Sequence, residues 1–222
     1  MNHLNYSLGH IKDLKKEHSM GTTIMAMKYK DGVIIGADSR TTTGAYIANR
    51  VSDKLTPVHD YIYCCRSGSA ADTEAVAGYV SYYLDLHTEE KGELPTVKTA
   101  ANLFKDICYS NKNALSASII CAGWDKRRGG SVYSIPLGGS LVEQEYSVGG
   151  SGSIYLYGYM DDHYKSDLSK DQALKLIVKA ISLAMARDGS SGGVVRTAVI
   201  NKDGVERNAV SNNKLGKFYW KE

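Results

Sequence analysis

From Thr23 to Ala37 the chain reads TIMAMKYKDGVIIGA. Thr23, Met25, Met27 and Tyr29 alternate onto one face, which is the period of a strand. Asp31-Gly32 follows, a pair suited to a two-residue type I′ turn, and VIIGA returns as a buried strand. A hairpin therefore starts this chain's ordered pattern, and whatever follows has to complete its sheet.

The rest of the pattern comes in blocks. YIYCCRSG is a further strand ending at a Gly-containing corner. Two helices come next: one with Val76, Tyr79, Val80, Tyr83 and His87 on a face, and one after Pro95 with Val97, Ala101, Phe104 and Cys108 in register. Strands resume in SASIICAGW, SVYSIPLGG and LVEQEYSVGG. The basic cluster Lys126-Arg127-Arg128 between the first two reads as a solvated hairpin loop. A last helix opens on a capping box of Ser169 and Gln172, with Leu168 at the staple position. Its face runs through Ala173, Ile177, Ile181 and Ala184 to a stop at Gly189. VVRTAVI, Asp203-Gly204 and VERNAV close the chain as another hairpin. Segregated runs of strands and helices argue for an α+β fold, with two stacked sheets whose outer faces carry helices.

A length of 222 residues allows one domain with a sizeable core. No apolar run reaches the roughly 18 residues that span a bilayer, so no membrane partner is expected. A net charge of +3 is no nucleic-acid footprint. Cys64, Cys65, Cys108 and Cys121 form no C-x-x-C pair and sit among apolar neighbours. They read as free, buried thiols in a reducing compartment, and the first residues hold no secretory signal, so an intracellular location is expected.

Several chemistries drop out. There is no H-E-x-x-H and no Walker sequence, and His59, His87 and His163 lack ligand spacing, so neither metal nor cofactor is expected. GGSGS at 149–153 reads as a tight strand-to-helix turn. GSSGG at 189–193 matches the G-x-S-x-G elbow around Ser191. It follows a helix and precedes a strand, however, the reverse of an elbow's context.

What remains is polar residues at strand ends. ADSR places Asp38 and Arg40 directly after a buried strand, where polar groups need partners. From residues alone, a structural Asp–Arg network and a functional cluster both stay open, and the same holds for Lys54 in VSDKLTP. The first 20 residues differ in texture, with three of the six histidines and a loose helical spacing of Leu4, Leu8, Ile11 and Leu14. A mobile tail and a docking or pro-segment are both compatible with that.

The run GTTIMAMKYKDGVIIGADSRTTTGAYIANRVSDKLTPVHDYIYCCRSGSAADT closely resembles the catalytic beta subunits of the eukaryotic 20S proteasome, in particular the caspase-like type. The likeness extends through AGWD, GGSGS with YGYMD, and DGSSGGVVR, and covers roughly Gly21 to Val210. It implies a four-layer αββα sandwich of the N-terminal-nucleophile hydrolase type. It also implies a propeptide at 1–21, removed by self-cleavage at Gly21-Thr22, and a catalytic domain at 22–222. The implied partners are the other alpha and beta subunits in stacked seven-membered rings, assembly chaperones and unfolded protein substrates, in cytoplasm and nucleus.

The resemblance also implies roles. Thr22 is the nucleophile, and its own α-amine, once free, is the base. Lys54 supplies a charge beside it, Asp38 fixes the lysine, and the Gly68 N–H stabilises the oxyanion. Ser151, Asp188 and Ser191 orient the amine and a water. Arg66 lines the pocket for an acidic residue before the cut bond, with Thr41, Ser52 and Ala70 on its walls. The set Gly21, Thr22, Asp38 and Lys54 is complete, which separates an active protease from a ring subunit that keeps its leader and does no chemistry. The pocket residues argue against a hydrolase of small amides.

Overall fold

In a computed structural model, which describes residues 21–211, 214 and 215, the opening hairpin is the middle of a five-stranded sheet. β1 (Ile24–Tyr29) and β2 (Gly32–Ala37) pair antiparallel, with Ile24 opposite Ala37 and Tyr29 opposite Gly32. β10 (Tyr146–Gly149) flanks β1, while β11 (Val195–Asn201) and β12 (Gly204–Val210) extend the sheet beyond β2. A second five-stranded sheet runs in chain order through β5 (Leu55–His59), β6 (Ile62–Gly68), β7 (Ala117–Asp125), β8 (Gly129–Ile135) and β9 (Val142–Gln144). A small hairpin of β3 (Thr41–Thr43) and β4 (Tyr46–Asn49) stands to one side.

Among the described residues, four α-helices cover the outer faces. α1 (Ala70–Lys91) and α2 (Val97–Ser110) lie on the second sheet; α3 (Tyr157–His163) and α4 (Lys170–Arg187) lie on the first. The alternation in β1 explains the stacking. Met25, Met27 and Tyr29 face α4 and pack with Ile177, Ile181 and Ala184. Ile24 and Ala26 face the other way and meet Cys65, Ile120, Ala122 and Val132 of the second sheet. A third apolar layer joins Val80, Leu84 and Phe104 to Cys64, Ile119 and Tyr133. Each fully buried Ile, Leu or Phe in these layers contributes about 1.5–3 kcal/mol. The result is the αββα sandwich, with β1 and β2 buried on both faces and the edge strands β9 and β12 largely exposed. Gly36 lets β2 lie close against α4, since a Cβ there would stand 2.7 Å from Ile181 Cδ1 and 2.9 Å from Ile177 Cδ1.

Local signals held where the chemistry was local. The capping box of Ser169 and Gln172 is formed, and α4 ends at Asp188. Lys126, Arg127 and Arg128 form the β7–β8 turn, held by Asp125, which accepts both the Arg127 and Arg128 N–H at 2.9 Å. All four cysteines are unpaired and buried. Burial pushes the Cys64 thiol up to about 12, which keeps it inert.

Three readings need correction. The buried face of α1 is Thr73, Val76, Ala77, Val80 and Leu84, whereas Tyr79 and Tyr83 are 60% and 46% exposed. The helix lies down on its smaller and aliphatic side, leaving the phenol hydroxyls in water. LVEQEYSVGG is two strands, not one. The chain crosses from the second sheet to the first at Glu145, whose carbonyl accepts the Lys28 N–H at 2.8 Å. The short strands β3, β4 and β5 form where the sequence shows no alternation to mark them. The spacing of Leu4, Leu8, Ile11 and Leu14 lies outside the described residues. Among the described residues, no helix is long and apolar enough to cross a membrane.

Candidate active site

The ends of β1, β2, β10 and α4 converge on Thr22, together with the segment leading into β5. The register does this. With Ile24 opposite both Ala37 and Gly149, the residue after β2 and the turn after β10 are brought alongside the start of β1. Asp38 is fully buried there, and four donors fill its carboxylate. Oδ1 accepts the Thr23 N–H at 2.9 Å and the Lys54 ammonium at 2.6 Å. Oδ2 accepts the N–H of Arg40 at 3.1 Å and of Gly192 at 2.9 Å.

Lys54 is 7% exposed, and its position has consequences for its charge. Burial pulls the ammonium below its ordinary value, and the Asp38 carboxylate opposes that shift. Lys54 also points at the bond of interest: its Nζ lies 3.5 Å from the carbonyl oxygen of Gly21. The Asp–Arg network that residues alone left open is not what forms. Asp38 pairs with Lys54, and the Arg40 guanidinium donates to the Gly189 carbonyl at 2.8 Å instead.

Thr22 is 4% exposed, with the Gly21-Thr22 peptide bond in place. Its hydroxyl donates to the Gly21 carbonyl oxygen at 2.7 Å, so the side chain and the preceding carbonyl are already in contact. Its N–H donates to Ser151 Oγ at 3.1 Å. Ser151 and Ser191 both donate to Asp188 Oδ2, at 2.7 and 2.6 Å. Because Ser191 spends its only proton on that carboxylate, it must accept from the Thr23 hydroxyl 2.7 Å away. A directed chain of protons thus runs from both Thr22 and Thr23 into Asp188. Ser191 sits in the loop between α4 and β11, a supporting position and not an elbow.

The glycines are part of this construction. A Cβ on Gly150 would stand 2.1 Å from the Thr22 carbonyl oxygen, and one on Gly21 would stand 2.6 Å from the backbone oxygen of Ser190. Sequence reasoning took GGSGS as a turn, and it is one: Gly150 has φ +83° and a 3-10 turn follows at Ser151–Tyr155. Its second use, close passage beside Thr22, was missed. So were Thr23 and Thr42. The Thr42 hydroxyl accepts the Gly21 N–H at 3.0 Å. The doubled threonines of GTT and TTT were the only signal for either.

Gly68 ends β6 with φ +107°, against the Ser116 carbonyl. It makes no hydrogen bond to Gly21 or Thr22 among the described residues. Arg66, two residues earlier, is half-buried and tied by neutral acceptors: Thr56 Oγ1 at 2.8 Å, and the Ala70 carbonyl, Thr73 Oγ1 and the Asp53 carbonyl at 3.4 Å each. Among the described residues, no carboxylate pairs with it. Its backbone N–H donates to the Lys54 carbonyl at 3.1 Å, so the two cations are held in one register. Thr41 and Ser52 bond to each other through their hydroxyls at 2.6 Å.

A threonine at the head of the first strand of an αββα sandwich, with the lysine of a buried Lys–Asp pair on the carbonyl that precedes it, fits an N-terminal-nucleophile hydrolase. The family model described as "Proteasome subunit" matches residues 18–200. The chain is 60% identical over 200 residues to proteasome subunit beta type-6 of Dictyostelium discoideum, covering 90% of this chain and 94% of that one. It is 54% identical over 207 residues to proteasome subunit beta type-1 of Saccharomyces cerevisiae, covering 93% and 95%. The chain belongs to the proteasome beta subunit family, whose members are threonine endopeptidases that assemble with other proteasome subunits.

Proposed function

We propose that this subunit cuts itself at Gly21-Thr22, leaving residues 1–21 as a propeptide and 22–222 as a catalytic domain that cleaves after acidic residues. One observation carries the reading: the Thr22 hydroxyl and Lys54 Nζ both reach the Gly21 carbonyl oxygen, at 2.7 and 3.5 Å. In self-cleavage, Thr22 Oγ attacks the Gly21 carbonyl carbon. The C–N bond breaks as the acyl group moves to oxygen, the nitrogen keeps its own proton and takes the one given up by the Thr22 hydroxyl to become an amine, and water hydrolyses the ester.

The freed amine then serves as base. An α-amino group ordinarily titrates at about 7.7–8.0, and the Lys54 charge lowers it further. The amine takes the Thr22 hydroxyl proton as Oγ attacks a substrate carbonyl, and the Gly68 N–H receives the oxyanion. The same proton goes to the departing amine, and a water repeats the sequence on the acyl ester. Ser151, Asp188 and Ser191 hold the amine's orientation through the hydrogen bonds described above.

Arg66 selects the substrate. A guanidinium satisfied only by neutral acceptors carries an uncompensated charge, which a carboxylate entering the pocket would neutralise. Thr41, Ser52 and Ala70 form the pocket walls. The subunit works within stacked seven-membered rings of alpha and beta subunits, built with assembly chaperones and acting on unfolded protein in cytoplasm and nucleus. Four buried free thiols suit those reducing compartments. The first test is the mature N-terminus: intact-mass analysis of assembled particles should show a chain beginning at Thr22, and residues 1–21 still attached would refute self-cleavage.

A further inference from the structure

Gly21 belongs to the departing side of the proposed cut, so a bond to it can act in the precursor alone, whatever else the bonding residue does. Among the described residues, three contacts hold it. Its carbonyl lies against Thr22 and Lys54, its Cα is pressed against Ser190, and its N–H donates to Thr42 Oγ1 at 3.0 Å. The first involves residues already assigned to the chemistry, and the second is steric. The third is a directed bond from a buried side chain, 4% exposed, on the short strand β3.

We infer that Thr42 is a positioning residue for self-cleavage, its hydroxyl fixing the Gly21 peptide unit so that the carbonyl carbon stays within reach of Thr22 Oγ. This rests on the self-cleavage reading above. The physical need comes from glycine itself. With no Cβ, Gly21 rotates more freely than any other residue, and each rotation swings its carbonyl away from the nucleophile. Orientation of two reacting groups is worth large factors in rate, and a displacement of about 1 Å can cost about a hundredfold. Lys54 and Thr22 hold the carbonyl from one end; Thr42 holds the N–H at the other. Two-ended restraint of one residue leaves its peptide planes little freedom. Once Gly21 has gone, there is no Gly21 N–H for the hydroxyl to accept, so this contribution to self-cleavage ends with maturation.

The experiment follows residue 1–21 loss by intact mass over time in particles assembled with their partner subunits, for wild type, Thr22→Ala, Thr42→Val and Thr42→Ser. Thr42→Val keeps the shape and removes the acceptor; Thr42→Ser keeps the acceptor. Expected are cleavage about tenfold slower in Thr42→Val, rates within about threefold of wild type in Thr42→Ser, and turnover per processed subunit within about threefold of wild type in both. Cleavage persisting in Thr22→Ala would overturn the self-cleavage reading itself. If wild type cleaves and Thr42→Val matches it, that reading stands and the role of Thr42 fails. The role fails equally if Thr42→Ser is as slow as Thr42→Val, or if turnover per processed subunit falls in step with cleavage, since either outcome marks a structural residue.

Discussion

Lys54→Ala should lower peptide hydrolysis by about 10²–10⁴-fold, the range that one misplaced acid–base group costs. The fold should survive the change. Asp38 loses its ammonium but keeps three backbone N–H donors, from Thr23, Arg40 and Gly192, so its buried carboxylate is not orphaned. Particle assembly and secondary structure are the controls. The defect should have two parts. Residues 1–21 should leave more slowly, because Lys54 lies on the Gly21 carbonyl, and processed subunits should turn over more slowly, because the amine loses its neighbouring cation.

The second part has a signature that a packing role lacks. A nearby positive charge disfavours a protonated amine and so lowers its pKa. Removing the charge raises that pKa, and the base form then appears only at higher pH. The acid limb of kcat/KM should therefore move to higher pH in processed Lys54→Ala particles. A pH profile that keeps its position, with turnover near normal, would reduce Lys54 to a structural partner of Asp38.

Why the roles of these residues needed more than the chain's text is a matter of distance along it. The capping box at Ser169 and Gln172 spans three residues, and the alternation of β1 spans six, so a local pattern suffices for both. Both covered faces of the first sheet were also legible, since VIIGA offers no polar side to water. The site is different. Thr22 meets Ser151 across 129 positions, and Thr23 meets Ser191 across 168. Residue types could say that Asp38 and Lys54 needed partners, but not that they were each other's. The likeness to a known family supplied that pairing, and the two side chains stand 2.6 Å apart. The misplaced face of α1 has the opposite cause. Val76, Val80 and a row of tyrosines all fit a helical spacing, and only the approach of the sheet decides which side is pressed flat.

Arg66→Leu should invert the substrate preference. Leucine keeps the apolar start of the stem, stops short of the guanidinium position and removes the charge. An acidic side chain entering the pocket would then be desolvated with no counter-ion, which for a broken buried pair costs about 3–5 kcal/mol. Arg66 is only half-buried, so solvent offsets part of this, and a residual of about 2–3 kcal/mol is roughly a 30- to 150-fold loss. Apolar residues should gain, because the pocket no longer strips water from a cation to receive them. The substitution also deletes the bonds to Thr56, Thr73 and the Ala70 and Asp53 carbonyls, so the comparison must be internal to each enzyme. The measurement is kcat/KM for matched peptides with Glu or Leu before the cut bond, taken on assembled particles with the other catalytic subunits inhibited. A general loss of activity lowers both values and leaves their ratio unchanged, whereas loss of the charge changes the ratio. A Glu-to-Leu ratio within about threefold of wild type would mean that the guanidinium only braces the end of β6 against α1, and that the preference, whatever it is, is set elsewhere.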